Sequence, residues 1–402
     1  MRAYLDYNAT TPVDPAVLEA MLPYLADDYG NASSIHSAGQ RARAAVEAAR
    51  ESVAALLDAK PGEIVFTSGG TEADNLAVLG SVAASRSPAT EGHPRKHVIT
   101  TTIEHHAALH ACQELEKRGA EVTYVPVGGD GVVDPDDIRR VLRPETILIS
   151  VMHANNELGT IQPIEEIGRI AAGAGILLHC DAVQSAGKMP LSADALGVDL
   201  LSISAHKMYG PKGAGALYVR TGTRLEPLFR GGHHERDRRP GTENVPGIVG
   251  LGKAAEIAHA RMAEDADRIR ALRDRFEHSL LARIPNVRVN GDRERRASNT
   301  SNVTFSGAGG EALVIALDLQ GVACSTGAAC SSGAIEPSHV LLAIGLSHDD
   351  ARSSLRFSLG RQTTADEIDG AMAVIPGAVE RLRALSPRTI APAAAPAPLS
   401  RA

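Results

Sequence analysis

The sequence predicts an α/β chain built on a largely parallel β-sheet. Short apolar runs recur at 63–67, 97–101, 121–125, 146–151, 176–180, 200–204 and 215–219. Most are bounded by Gly, Asp or Pro and show little polar alternation, the pattern of strands covered on both faces. Amphipathic stretches at 72–84, 106–117 and 164–172 lie between several of them. Strand, helix and strand in succession is how parallel strands are joined by crossovers.

A long helical stretch rich in Ala, Glu and Arg follows at 249–281 and is suited to bridge two units. Beyond it, 302–305, 311–319, 339–344 and 354–358 read as a smaller α/β or α+β unit. A chain of 402 residues exceeds one simple core and is comfortable for two domains. The tail at 387–402 is Ala/Pro-rich and is expected to be disordered. There is no convincing internal repeat.

Composition narrows the function class. Hydrophobic residues at 44% and charged residues at 22% are ordinary for a globular protein. A net charge of −7 argues against a dedicated nucleic-acid binder, which carries a basic balance. The first dozen residues hold no basic segment followed by an apolar one, and no apolar run has the length of a membrane span. A cytoplasmic protein is expected. The four cysteines, Cys112, Cys180, Cys324 and Cys330, form neither a disulfide framework nor a paired Cys/His zinc pattern. No metal site is expected.

Four segments carry chemistry. Ser-Ala-His-Lys at 204–207 ends a predicted strand and precedes a Gly/Pro-rich loop, which puts Lys207 at the carboxyl edge of the sheet, where open α/β sheets bind ligands. A lysine there suits a Schiff base with an aldehyde cofactor, though a solvated turn lysine fits the same pattern. Asp181, in His-Cys-Asp-Ala-Val-Gln at 179–184, reaches the same edge. It suits a carboxylate that keeps a pyridinium protonated, and equally a helix N-cap. Thr-Ser-Gly-Gly-Thr-Glu at 67–72 joins a strand to a helix. Its free N–H groups and hydroxyls suit a phosphate, but a helix start capped by Thr71 and Asp74 accounts for it too. Cys330 stands in Cys-Ser-Thr-Gly-Ala-Ala-Cys-Ser-Ser-Gly at 324–333, small residues expected to leave a thiol exposed and movable. Cys112 and Cys180, on helical and strand patterns, read instead as small buried apolar residues. His105 follows the 97–101 run and could stack on a ring or move protons. Arg356, on a strand pattern, is a natural bidentate partner for a carboxylate. Taken singly, each fits an ordinary surface or ion-paired residue as well.

Together these segments resemble the cysteine desulfurase family, on the fold of the class V aminotransferases. The resemblance runs through Tyr-Leu-Asp-Tyr-Asn-Ala-Thr-Thr-Pro at 4–12, Gly-Asn-Ala-Ser-Ser at 30–34, Asn-Asn-Glu-Leu-Gly at 155–159 and Asp-Ala-Val-Gln-Ser at 181–185. It continues through Ala-His-Lys-Met-Tyr-Gly-Pro-Lys-Gly at 205–213, Arg-Pro-Gly-Thr-Glu-Asn at 239–244, Glu-Pro-Ser-His-Val at 336–340 and Ser-Leu-Arg-Phe-Ser-Leu-Gly-Arg at 354–361. Any one is modest; all in this order are highly specific. The Cys330 loop resembles the branch with a long, mobile catalytic loop. Ala205 departs from the glycine common before the His-Lys pair and questions the local backbone. The tail beyond Leu385 does not resemble the scaffold-binding tail of some members.

The resemblance implies a pyridoxal-phosphate transferase fold, with a large domain at 13–260 and a small domain formed by 1–12 and 261–386. It implies that Lys207 holds pyridoxal phosphate as a Schiff base and removes the substrate α-proton. Asp181 would pair with the pyridine nitrogen, and His105 would stack on the ring and act as acid/base. Asn156 and Gln184 would meet the phenolic oxygen side or the substrate. Gly70, Thr71, Ser204 and His206 would form the phosphate cup, to which Thr242 is lent across a homodimer interface. Arg356 would hold the carboxylate of L-cysteine, and Cys330 would take its sulfur as a persulfide, releasing alanine. An acceptor protein would receive the sulfur. Its destination stays open among iron–sulfur clusters, thiolated tRNA, sulfur-modified DNA and thiocofactors. A plain aminotransferase, a selenocysteine lyase and a non-catalytic sulfur carrier are the rival readings.

Overall fold

The computed structural model describes residues 2–85, 96–326 and 337–385. The expected tail at 387–402 and Cys330 both lie outside the described residues.

The chain opens on a two-residue strand, β1 (Ala3–Tyr4), and two helices follow, α1 (Pro15–Ala26) and α2 (Ser37–Leu56). Asp14 caps α1 by accepting from the Ala16 N–H at 3.0 Å, and Pro15 supplies the preset φ of a first helical turn. The central alternation then runs β2 (Ile64–Thr67), α3 (Gly70–Ala84), β3 (His97–Thr101), α4 (His106–Lys117), β4 (Glu121–Val125), α5 (Pro135–Arg140), β5 (Thr146–Met152), α6 (Ile164–Ala174), β6 (Leu177–Asp181), α7 (Ala193–Leu196), β7 (Leu200–Ser204) and β8 (Gly215–Val219). These strands form one seven-stranded sheet in the order β2-β8-β7-β6-β5-β3-β4. Every neighbouring pair is parallel except the two made by β8, which runs antiparallel to β2 and to β7. The short loop from β7 into β8, too short for a crossover helix, forces that reversal. The α/β class with a mainly parallel sheet is therefore the observed one.

The long helix α8 (Val245–Arg283) serves two cores. Its first half packs Ile248, Leu251, Ala255 and Ala258 against α1, α2 and the large sheet. Its second half delivers Ile269, Phe276 and Leu280 to a separate cluster. That cluster lies on a three-stranded antiparallel sheet of β9 (Val287–Asn290), β10 (Thr300–Phe305) and β12 (Ser354–Ser358). The helices α9 (Gly310–Asp318), α10 (His339–Ala343), α11 (His348–Arg352) and α12 (Ala365–Leu385) complete this part, with the short strand β11 (Val322–Ala323). Phe276 meets Phe357 edge to face, with centroids 4.9 Å apart.

The N-terminus ties the two parts together. β1 pairs with β11, and Asp6 bridges to Ser358. The chain then crosses to the large sheet, where the Thr11 N–H donates to the His206 carbonyl at 3.0 Å. Residues 3–11 thus run from the smaller sheet to the edge of the larger one. Among the described residues no helix is long and apolar enough to cross a membrane.

Candidate active site

The parallel strands end in short polar segments that turn toward one cavity. Met152, Asp181 and Ser204 are the last residues of β5, β6 and β7, and all three line it. The cavity has a volume of about 350 Å³, in the range of small-molecule sites. Gly70, Thr71, His105, Asn156, Asp181, Gln184, Ser204, His206, Lys207 and Arg356 all stand on its wall. The geometry brings these predicted residues together from six different segments. Thr242 is exposed and is not on this chain's cavity wall.

Lys207 sits in a tight 3-10 turn directly after β7. Its Nζ donates to the Asn8 carbonyl at 2.5 Å and the Ala9 carbonyl at 2.9 Å, which aims the amine across the cavity. The methyl of Ala205 is fully buried and faces Gly210, where any Cβ would come within 2.8 Å of it. The departure from glycine at 205 is thus accommodated by the glycine at 210.

Asp181 is 5% exposed, and its Oδ1 accepts from the Val183 N–H at 2.9 Å. It caps the turn after β6 as a capping residue would, and it also lines the cavity. Burial pushes its pKa up to about 6, against the backbone N–H and the Lys207 charge, which favour the carboxylate. Two further buried acids lie behind it. Burial, then the charge of Asp181, holds Asp74 well above the ordinary aspartate range. Burial raises Glu104 to about 8. Asp74 reaches the cavity wall and is not the N-cap of α3.

The start of α3 carries no side-chain cap, because Gly69 precedes it. Gly69 has φ +154°, and its Cα would meet a Cβ on Gly215 at 2.6 Å. The β2–α3 turn therefore packs directly on the β7–β8 ladder, and both positions require glycine. Thr71, for which a capping role is the alternative reading, is exposed on the cavity wall. Ser204 is 2% exposed, and its Oγ has no hydrogen-bond partner among the described residues. A buried hydroxyl beside uncapped helix N–H groups is an arrangement that an anion completes.

His105 caps α4, its Nδ1 accepting from the Ala107 N–H at 3.2 Å. That bond leaves the proton of the neutral ring on Nε2. Burial, followed by the charge of Lys207, lowers its pKa to about 4. His206 is lowered to about 4 by burial and then by Lys207, and its Nδ1 lies 3.1 Å from Thr10 Oγ1. Both imidazoles are neutral near pH 7. Arg356, also on the cavity wall and 3% exposed, donates to Asp6 Oδ1 at 2.7 Å and to the Asn156 carbonyl at 3.0 Å.

Sequence reasoning missed Asn8. Its carbonyl accepts from Lys207 and from Gln184 Nε2, and its side chain bonds the Asn156 carbonyl, Thr300, Asn299 and Lys188. Two of those contacts are made by its backbone carbonyl, which side-chain identity does not advertise. Lys188 and Glu104 were also missed; each looks like a routine charged residue until its burial is known.

The described cysteines are poor nucleophiles. Cys112, Cys180 and Cys324 are buried. Burial pushes Cys112 and Cys324 up to about 12 and Cys180 well above its ordinary value. Among the described residues no group of acids, histidines and cysteines could hold a metal ion.

Comparison with known proteins agrees with this layout. The Aminotransferase class-V family matches residues 3–370. The chain is 51% identical over 384 residues to a protein named cysteine desulfurase IscS from Dictyoglomus turgidum, covering 96% of both chains. The chain belongs to the cysteine desulfurases of the class V aminotransferase family. A solved NifS-like protein superposes with a TM-score of 0.87 at 38% identity, covering 95% of this chain and all of that one. A structure described as SspA in complex with cysteine superposes at 0.78, also 38% identical, covering 90% of this chain and all of that one.

Proposed function

We propose that this desulfurase binds pyridoxal phosphate and moves sulfur from L-cysteine to Cys330, releasing L-alanine. The observation that carries the reading is the meeting of Lys207, Asp181 and the orphaned Ser204 hydroxyl in one cavity at the strand ends. The donor set fits the cofactor at each point where it could fail. The uncapped start of α3 with Ser204 suits the phosphate, the buried carboxylate of Asp181 suits a pyridinium N–H, and the amine of Lys207 suits the aldehyde. When bound, pyridoxal phosphate supplies an electron sink for the carbanion left by removal of the substrate α-proton.

The side chains divide the remaining work. Arg356 orients the substrate by its carboxylate. The Lys207 amine would take the substrate α-proton, and Asp181 would hold a proton on the pyridine nitrogen. His105, neutral and donating through Nε2, is placed to exchange a proton near the substrate thiol. The Cys330 thiolate attacks the substrate sulfur. An S–S bond forms, the C–S bond breaks, and its electron pair stays on the substrate carbon, which takes up a proton and ends as alanine. The sum is cysteine plus thiol giving alanine plus persulfide, with no external oxidant or reductant. The burial of the other three cysteines supports Cys330 as the carrier.

We read the chain as a cytoplasmic homodimer in which Thr242 reaches the partner's phosphate cup, with an acceptor protein taking the sulfur. The exposed apolar side chains Leu18, Leu22, Leu25 and Ile35 support a protein partner. The test is alanine release from L-cysteine by cofactor-loaded protein. Loss in both Lys207→Ala and Cys330→Ala is expected. Alanine at the wild-type rate from Cys330→Ala sinks the persulfide step, and keto-acid in place of alanine favours transamination.

A further inference from the structure

Lys188 lies one turn beyond Gln184, below the floor of the cavity. Its Nζ donates to Gln184 Oε1 at 2.8 Å and to Asn8 Oδ1 at 3.2 Å. The other end of the Gln184 amide is fixed too, because Nε2 donates to the Asn8 carbonyl at 3.0 Å. A carbonyl only accepts and a lysine only donates here, so the two partners leave one orientation for the amide. Asn8 is itself locked, its Nδ2 donating to the Asn156 carbonyl at 3.1 Å and its Oδ1 accepting from Asn299 at 2.9 Å. Gln184 lines the cavity with one N–H committed to Asn8 and the other without a protein partner among the described residues.

We propose that Lys188 is a positioning residue: by occupying the Gln184 carbonyl it makes Gln184 a pure hydrogen-bond donor to the cavity, and so sets the proton affinity of the cofactor-bound Lys207. The inference rests on the pyridoxal phosphate reading, in which Gln184 faces the phenolic oxygen of the ring. An N–H directed at that oxygen stabilises its negative charge, and a proton is then held less tightly on the neighbouring Lys207 nitrogen. The charge of Lys188 acts in the same direction. Lys188 and Lys207 each border a small second cavity, with Tyr7, Tyr209, Asp265 and Arg361 on its wall. The other titratable groups facing the pair are Arg356 toward Lys188, His206 toward both lysines, and Asp181 and His105 toward Lys207. Burial and then the Lys207 and Arg356 charges lower Lys188 itself to about 7, so part of its charge is present at neutral pH. Gly187, at φ +73°, lets this turn pack closely on Met208: a Cβ there would stand 2.9 Å from Met208 Cβ.

The test is a spectroscopic pH titration of cofactor-loaded protein, following the absorbance band of the Lys207-bound cofactor without substrate. In Lys188→Met the midpoint is expected to rise by about one pH unit, while Lys188→Arg, which restores a cationic donor, stays near wild type. If Lys188→Met does not fold, judged by circular dichroism, Lys188→Gln keeps a donor without charge and should rise by a smaller amount. An unmoved midpoint in whichever neutral variant folds overturns the proposal. A wild-type protein without the band, or a band that survives in Lys207→Ala, overturns the cofactor reading instead. The two failures are therefore separable.

Discussion

Asp181→Asn should make the cofactor-free protein more stable at neutral pH while removing its activity. The carboxyl is 5% exposed and its pKa is raised from 3.8 to about 6. A group whose folded pKa lies above its unfolded value is held in its less favoured ionised form once the pH passes both. Stability is therefore lost as the pH rises from about 4 through 6, and the loss is complete above that window. Roughly two pH units at about 1.4 kcal/mol each give a penalty of about 3 kcal/mol at pH 8, of which about half is present at pH 5. Asparagine resembles the protonated acid in shape and keeps an oxygen for the Val183 N–H, so it escapes the penalty. Urea denaturation of cofactor-free wild type and variant between pH 5 and 8 measures it. The advantage of the variant should grow by about 1–1.5 kcal/mol across that range and then level off. A difference that is flat with pH, or a variant less stable at pH 8 than wild type, refutes the argument that burial dominates at Asp181.

Ser204→Ala removes a hydroxyl with no protein partner; cofactor-free stability should not fall, while cofactor affinity measured by fluorescence quenching should drop about tenfold, the worth of one charge-assisted hydrogen bond. Arg356→Lys breaks a two-armed arrangement and should raise KM for cysteine about tenfold or more, with the cofactor absorbance unchanged. The Arg50–Glu235 pair is buried, with both contacts at 2.8 Å, and Glu235 also accepts from the Phe66 N–H. Arg50→Met strands that carboxylate and should lower stability by about 3–5 kcal/mol in denaturant titration, whereas adding Glu235→Leu should recover part of the loss.

The strands of the large sheet were legible because each is a short apolar run closed by a turn residue; β3, β4 and β7 coincide with the predicted 97–101, 121–125 and 200–204. The reversal of β8 was not legible, since an apolar pentapeptide has no direction until its neighbours are known. The helices α1 and α2 escaped notice; α2 buries small residues, Gly39, Ala42, Ala49 and Ala54, between its larger apolar ones, which thins the apolar stripe. In the site, side chains at strand ends were readable from position alone: Lys207, Asp181 and Ser204 all follow apolar runs. In the sequence Asp74 figures only as part of an alternative helix cap, yet it is buried beside Asp181, a placement that the packing of α3 on β6 and β7 decides. Asn8 and Lys188 matter through tertiary hydrogen bonds spanning up to 350 residues of sequence, which no local pattern encodes.

The central claim is that sulfur leaves cysteine only with Lys207 in place and comes to rest on Cys330. Mass spectrometry of the cofactor-loaded protein after brief exposure to L-cysteine, without an acceptor, tests it most directly. The account predicts a gain of one sulfur atom on the peptide that carries Cys330, absent from Lys207→Ala. Alanine formation with no sulfur on that peptide, or sulfur instead on Cys112, Cys180 or Cys324, would contradict it.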